Sequence, residues 1–226
     1  MFSPYFKRPR TFITRHSPTL IVVLLAVLFM GISRQHLLRF LSISLPGSQP
    51  GSVDAVESYN QLCVLCHFHK ENPLDTSMHT VNLGHDWMGS MMAHSARDPV
   101  FYAALAVLNK YRQGPGEYCI RCHSPTGWLA GNSERFTGQG LVGTDMDGVQ
   151  CGYCHRLVDP LNPDSTVARP VPPVPGYGNA MHLVELHNTP KRGPYTDALG
   201  IHAVTYDHFQ RTSEMCGICH DVSNPL

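Results

Sequence analysis

The feature that most constrains this chain is the placement of its cysteines. All eight cysteines fall into four copies of one pattern, in which two cysteines are separated by two residues and a histidine follows at once. A disulfide framework would not require a histidine after every second cysteine. A single copy could be a redox dithiol or half of a zinc site, but four complete copies disfavour both readings. In chain order, motifs 1 to 4 are Cys63–His67, Cys119–His123, Cys151–His155 and Cys216–His220.

This pattern is the attachment signature of c-type haem. Two thiols at this spacing reach the two vinyl groups on one edge of a porphyrin, and the next residue lies under the ring, where its imidazole can bind the iron. We therefore predict four covalently bound haem c groups, numbered as their motifs. The predicted attachment residues are Cys63, Cys66, Cys119, Cys122, Cys151, Cys154, Cys216 and Cys219. The predicted proximal iron ligands are His67, His123, His155 and His220.

Residues 1–46 differ in composition from the rest of the chain. They hold six Lys or Arg and no Asp or Glu, and thirteen uncharged residues run from Leu20 to Ile32. That length suits a signal-peptide core and is short for a bilayer span of about 20 residues. Only an approximate cleavage site is present at Gly31-Ile32-Ser33, so a cleaved signal peptide and a retained inner-membrane anchor both stay open. Either one predicts that the remainder lies outside the cytoplasm, in the periplasm or at the cell surface.

The charge balance of the chain indicates which class of macromolecule it binds. Residues 47–226 carry 11 basic and 17 acidic residues, a balance of −6, although the whole chain has no net charge. An acidic domain without a basic patch argues against nucleic acid as a partner. It favours small, transient contacts with other redox proteins.

The predicted organisation is a leader at 1–46, a linker and lead-in at 47–60, and a tetrahaem domain at 61–226. The 19 glycines and 18 prolines indicate many turns. We expect a mainly α fold with much irregular structure, organised around four stacked haems that supply most of the apolar core. One helix is well marked, because Asp98 can cap it, Pro99 suits its first position, and it can run to Arg112 before Gly114. No convincing strand pair is visible.

The histidine count points to the distal side of the irons. Of 14 histidines, four are proximal and two lie in the leader, which leaves eight for four distal positions. Ligation of each iron by two histidines explains this excess. If the stretch from His85 to His94 is one helix, these two side chains point to opposite sides and could serve two different haems.

Three segments carry a resemblance to a known group. They are His85–Phe101, Cys119–Trp128 and Ser213–Pro225. In these segments the sequence resembles the multihaem c-type cytochromes related to the tetrahaem electron carrier of ammonia oxidisers. The resemblance covers roughly residues 60–226. It implies stacked haem pairs, mainly ligated by two histidines, with helices as the main regular structure.

The resemblance also implies particular distal ligands. His94 and His202 fit positions where that group often has a distal histidine, and His85 and His208 are the next candidates. The group includes one haem without a sixth protein ligand, so one open iron stays an alternative. Relatives commonly continue beyond the last motif, so a C-terminally truncated chain is also an open reading.

The expected function is electron transfer between redox partners outside the cytoplasm, without a substrate of its own. A membrane-anchored quinol-oxidising subunit is an alternative. Its motifs would form two closely spaced pairs, whereas the motif starts here are 56, 32 and 65 residues apart. A multihaem enzyme acting on a small nitrogen or sulfur compound would need an open iron, and an oligomer or filament also stays open. The shortest separation predicts that haems 2 and 3 stack.

Overall fold

The computed structural model describes most of the predicted haem domain and little before it. The described residues are Val22, 45–52, Cys63, His67, 83–112, 114–133, 136–164, 173–185 and 190–223. The chain divides into two compact units, Met1–Ser42 and Ile43–Leu226, and the described residues other than Val22 lie in the second. The predicted signal-peptide core, apart from Val22, and Cys66 of motif 1 lie outside the described residues.

Helices supply most of the regular structure in the described part, and long irregular segments connect them. The α-helices are α1 Leu83–Met88, α2 Met91–His94, α3 Pro99–Tyr111, α4 Gly116–His123, α5 Pro125–Leu129, α6 Cys151–Cys154 and α7 Ser213–His220. Two 3-10 helices cover Gly143–Asp147 and His208–Arg211. The predicted mainly α fold is confirmed in its coarse part, because the described residues are partly helical with much irregular structure; the organisation around four stacked haems stays a prediction.

The longest described helix, α3, begins where the sequence predicts. Asp98 caps it, because its carboxylate accepts a hydrogen bond from the Val100 amide at 2.8 Å, and Pro99 occupies the first position, where no amide hydrogen is needed. The helix ends at Tyr111, one residue before the predicted end. Phe101 lies on its buried face, so the helix is anchored to the core along one side.

Four short strands form two separate pairs. They are β1 Leu157–Val158, β2 Leu183–Val184, β3 Lys191–Gly193 and β4 Val204–Tyr206. β1 and β2 are antiparallel, with Leu157 opposite Val184, whereas β3 and β4 are parallel, with Arg192 opposite Thr205. The prediction that strand pairs are absent is wrong. Strands of two or three residues are too short to show the alternation by which a strand is recognised in sequence.

The stretch from His85 to His94 is not one helix, so the condition under which the two histidines would point to opposite sides of one helix is not met. α1 ends at Met88 and α2 starts at Met91. Ser90 caps the second helix, because its hydroxyl accepts a hydrogen bond from the Ala93 amide at 3.3 Å. A serine that bonds to the backbone in this way favours a helix start over a helix interior.

One apolar core connects helices and strands of the described domain. Its members come from α3 to α7, from β1 and β2 and from the loops between them: Phe101, Leu105, Ile120, Trp128, Leu129, Leu141, Tyr153, Leu157, Val184, Phe209 and Ile218. Cys119, Cys154 and Cys219 pack against this cluster as half-buried residues. The cysteines of motifs 2, 3 and 4 therefore lie at the edge of one core.

The segment 45–52, predicted as part of the linker, packs onto this domain. The Ser48 amide donates to the His182 carbonyl at 2.8 Å, and the Gly51 amide donates to the Leu129 carbonyl at 2.8 Å. The guanidinium of Arg121 donates to the Pro46 carbonyl at 2.6 Å. These contacts fix the segment against α4, α5 and β2.

Candidate functional site

The cysteines of motifs 2, 3 and 4 are carried by short helices. Motif 2 forms the end of α4, motif 4 forms the end of α7, and α6 spans the two cysteines of motif 3. Residues three apart on a helix are neighbours on one face. The two thiols of each motif therefore point to the same side, as attachment to one edge of a planar group requires.

The intervening residues of the motifs turn the reactive side chains outward. Ile120 of motif 2 and Ile218 of motif 4 are 0% and 1% exposed. The histidines predicted as proximal ligands are not buried: His123 is half-buried, and His155 and His220 are exposed. Burial of the isoleucines orients each helix so that its imidazole is accessible at the protein surface.

Two proximal histidines are held in one tautomer by main-chain carbonyls. The His123 Nδ1 atom lies 3.1 Å from the Ser95 carbonyl oxygen, and the His155 Nδ1 atom lies 2.6 Å from the Arg192 carbonyl oxygen. A carbonyl oxygen can only accept, so Nδ1 carries the proton and Nε2 keeps its lone pair. Histidines that bind metals typically donate their second ring N–H in this way.

Further contacts fix the position of His123. The ring of Phe101 stacks on its imidazole, with 4.0 Å between ring centroids and 10° between the planes. The Ser95 hydroxyl donates to the His123 carbonyl at 2.7 Å. The imidazole is therefore held both through its ring face and through its main chain.

Motif 1 is brought to one of the predicted distal ligands. The rings of His67 and His202 lie 6.4 Å apart between centroids, with 46° between their planes. Two metal–nitrogen bonds of about 2 Å each, on opposite sides of one ion, place the ring centroids roughly 6 Å apart. His202 Nδ1 donates to the Ala203 carbonyl at 3.1 Å, which again leaves Nε2 for a metal.

The other three distal candidates are exposed. His85 Nδ1 lies 3.5 Å from the Asp86 carboxylate, and His94 Nδ1 lies 3.4 Å from the Arg97 guanidinium. His208 Nδ1 lies 3.4 Å from the Tyr206 hydroxyl. Within the described part of the chain, the structure does not bring any of the three into ring contact with a proximal imidazole.

Thiols from different motifs meet in pairs. Cys122 of motif 2 shares a hydrogen bond with Cys219 of motif 4, and Cys151 of motif 3 shares one with Cys63 of motif 1. These hydrogen bonds, together with burial, raise the pKa of the Cys122 and Cys151 thiols.

Two buried polar side chains near the motifs were not singled out by the sequence. His182 is 0% exposed, and its Nδ1 lies 3.0 Å from the Tyr153 hydroxyl. Burial, with a smaller contribution from Arg121, lowers the pKa of His182 well below its ordinary value. Burial also lowers the pKa of Arg121 to about 10, and its guanidinium lies 4.4 Å from the centre of the Trp128 ring. Both environments depend on contacts between distant segments, so no local pattern marks them.

Comparison of the chain with protein-family models, with curated proteins and with solved structures found no significant match. Among the described residues, no three Cys, His, Asp or Glu side chains converge as a metal site. In the same residues, no helix is both long enough and apolar enough to cross a bilayer.

Proposed function

We propose that this protein is a tetrahaem c-type cytochrome that transfers electrons between redox partners outside the cytoplasm. The observation that carries the proposal is the pair of Nδ1–H hydrogen bonds at His123 and His155, which leave Nε2 of each as an iron ligand. Each histidine directly follows two cysteines that a helix holds on one side. The geometry of motifs 2 and 3 therefore fits the chemistry that the sequence pattern predicts.

Haem bound at these motifs would supply one-electron exchange at its iron. The cysteines of the motifs would hold the porphyrin through thioethers, and the histidines that follow them would bind the iron. For motif 1, the spacing of His67 and His202 supports ligation by two histidines. Such ligation closes an iron to small molecules, which favours electron transfer over chemistry on a substrate.

The thiol contacts support a particular order of electron transfer. Haem 1 would lie next to haem 3 through Cys63 and Cys151, and haem 2 would lie next to haem 4 through Cys122 and Cys219. Cys154 of motif 3 and Cys219 of motif 4 pack against the same apolar cluster, which links the two pairs. The contacts favour the row 1–3–4–2, whereas the sequence separation predicts that haems 2 and 3 stack.

The electrons would enter and leave through partner proteins. The balance of −6 in residues 47–226 favours transient docking to redox proteins with a complementary positive surface. The N-terminal segment would act as a signal peptide or an inner-membrane anchor. Self-assembly into an oligomer or filament would extend the same row between copies.

The first experiment counts haems and identifies the distal ligands. Mass spectrometry of the purified, denatured protein should show four covalent haems per chain and no titratable thiol. Electron paramagnetic resonance should show that exchange of His202 for Ala converts one low-spin haem to high spin. Ile201→Ala, at the exposed position next to His202, is the matched control and should leave the spectrum unchanged.

Two results would overturn the proposal. Fewer than four covalent haems would contradict the cofactor assignment. Turnover of hydroxylamine, nitrite or tetrathionate, with a high-spin ferric signal that the substrate abolishes, would favour the enzyme alternative.

A further inference from the structure

Arg192, in the middle of β3, is a buried cation held by three carboxylates. Its side chain is 6% exposed. One terminal nitrogen donates to Glu185 at 2.5 Å and to Asp164 at 2.8 Å, and the other donates to Asp207 at 2.7 Å. The three acceptors come from separate segments: the residue after β2, the loop after β1 and the cap of the second 3-10 helix. The guanidinium therefore ties three parts of the chain to β3.

The main chain of Arg192 holds the motif 3 histidine from both sides. The Arg192 amide donates to the His155 carbonyl at 2.9 Å, and the Arg192 carbonyl accepts the His155 Nδ1–H at 2.6 Å. The position and orientation of the imidazole therefore follow the position of β3.

The same strand also fixes the segment that carries a distal ligand candidate. The Lys191 amide donates to the Ala203 carbonyl at 2.9 Å, and the Asp207 amide donates to the Gly193 carbonyl at 2.9 Å. Ala203 directly follows His202, whose ring faces His67 of motif 1. β3 therefore lies between the proximal ligand of motif 3 and the distal candidate of motif 1, the two motifs whose thiols touch.

Arginine suits this position better than any other cation. Its planar fork makes several charge-assisted hydrogen bonds at fixed angles, whereas lysine presents a single point charge. Burial alone would lower the pKa of Arg192, but the hydrogen bonds that it donates to Glu185, Asp164 and Asp207 outweigh burial and raise the pKa above its usual value. The cation and its three bonds therefore persist at any physiological pH.

We propose that Arg192 is a positioning residue that fixes two haem ligands at once, the proximal His155 and the distal His202. This inference rests on the proposed haem function. Donation of Nδ1–H to a carbonyl raises the basicity of a ligating histidine, which stabilises the ferric state. Loss of the Arg192 contacts loosens β3, raises the reduction potential of haem 3, and releases His202 from haem 1.

The test uses the purified full-length holoprotein and the exchange of Arg192 for Gln. The haem count by mass is measured first. Spectroelectrochemical titration should then show that the potential of one haem rises, and paramagnetic resonance should show a new high-spin ferric signal. Arg192→Lys should show the same changes in weaker form. Arg211→Gln removes an exposed arginine of the neighbouring 3-10 helix and should leave both readouts unchanged.

The outcomes separate this inference from the proposed function. Absence of covalent haem in the wild-type protein would contradict the function itself. Four haems with unchanged potentials and spin states in Arg192→Gln would overturn the positioning role. If Arg192→Gln loses haem or fails to fold, the Glu185→Gln variant tests the positioning role instead. This exchange preserves side-chain shape and removes one of the three carboxylate charges that bind Arg192. A new high-spin ferric signal for that variant supports the inference, because charge removal alone would not change the spin state, and unchanged spin states overturn it.

Discussion

The same motif is held in two different ways in two parts of the described domain. We call these parts the helical half, which contains α1 to α5, and the strand half, which contains β1 to β4. In the helical half, the imidazole of His123 is fixed by the stacked ring of Phe101 and by the carbonyl of Ser95. In the strand half, the imidazole of His155 is fixed by β3, which a buried arginine and three carboxylates anchor.

This difference predicts which kind of substitution, in side-chain volume or in charge, each half tolerates. Apolar packing is non-directional and degrades in proportion to the volume removed. A buried ion cluster is directional, and removal of one member leaves its partners charged and buried. The helical half should therefore respond to side-chain volume and the strand half to charge.

The largest effect is expected from Phe101→Ala, which removes the stacked ring and leaves a cavity. Phe101 is 7% exposed, so truncation should lower the free energy of unfolding by about 3–5 kcal/mol. Denaturant unfolding measures this loss. Val107→Ala, on the exposed face of the same helix, should stay within about 0.5 kcal/mol of wild type. Equal losses in both variants would contradict the role of the stacked ring.

Glu185→Gln probes the strand half with almost no change in volume. The loss of one charged acceptor of Arg192 should lower the free energy of unfolding by about 1–3 kcal/mol. Asp197→Asn removes one negative charge from an exposed loop and should change stability by less than about 0.5 kcal/mol. If the two variants behave alike, the strand half does not depend on the charge of its buried cluster.

His182 contacts Trp128 of the helical half and Tyr153 of motif 3. It should make the free energy of unfolding depend on pH. Burial lowers its pKa in the folded state, whereas the unfolded chain binds a proton below about pH 6.5. Its contribution to stability is therefore complete above pH 6.5 and is lost as the pH falls, by at most about 1.4 kcal/mol per pH unit.

The measurement for His182 is the slope of unfolding free energy against pH between pH 6.5 and 5. His182→Gln should flatten this slope, and Leu199→Gln, at an exposed position, should not. An unaltered slope for His182→Gln would show that His182 is not held neutral by the fold.

The smallest effect is expected from Ser95→Ala. It removes the hydroxyl that donates to the His123 carbonyl but keeps the main-chain carbonyl that accepts Nδ1–H. The free energy of unfolding should fall by about 0.5–1.5 kcal/mol, and the spectrum of a haem bound at motif 2 should not change. A spectral change would show that the serine side chain, and not only its backbone, orients the ligand.

The sequence predicts the features that depend on neighbours along the chain. Asp98 and Pro99 mark the start of α3 because capping is a local interaction. The cysteine spacing marks the motifs because attachment to one porphyrin edge requires thiols three residues apart. The break between α1 and α2 at Ser90 cannot be read from the sequence. One continuous helix would place the same apolar residues on its faces.

The remaining features depend on contacts between distant segments. Ser48 bonds to Val184 across 136 positions, and His155 bonds to Arg192 across 37 positions. The burial of Arg192 follows from three carboxylates that no spacing rule connects. Sequence reasoning therefore identifies the residues that would attach and ligate haem, but it does not identify the residues that hold those ligands in place.

Gly148 lies against the backbone beside His94, although the two residues are far apart in the chain. Its φ of 67° lies in the region that glycine adopts without strain, and a Cβ atom there would collide with the Met92 carbonyl and the Ser95 hydroxyl. These two residues flank His94 at the end of α2. Any replacement of Gly148 would therefore displace the backbone that carries a candidate ligand. A side chain at position 148 would thus disturb the backbone beside a histidine 54 residues earlier in the chain.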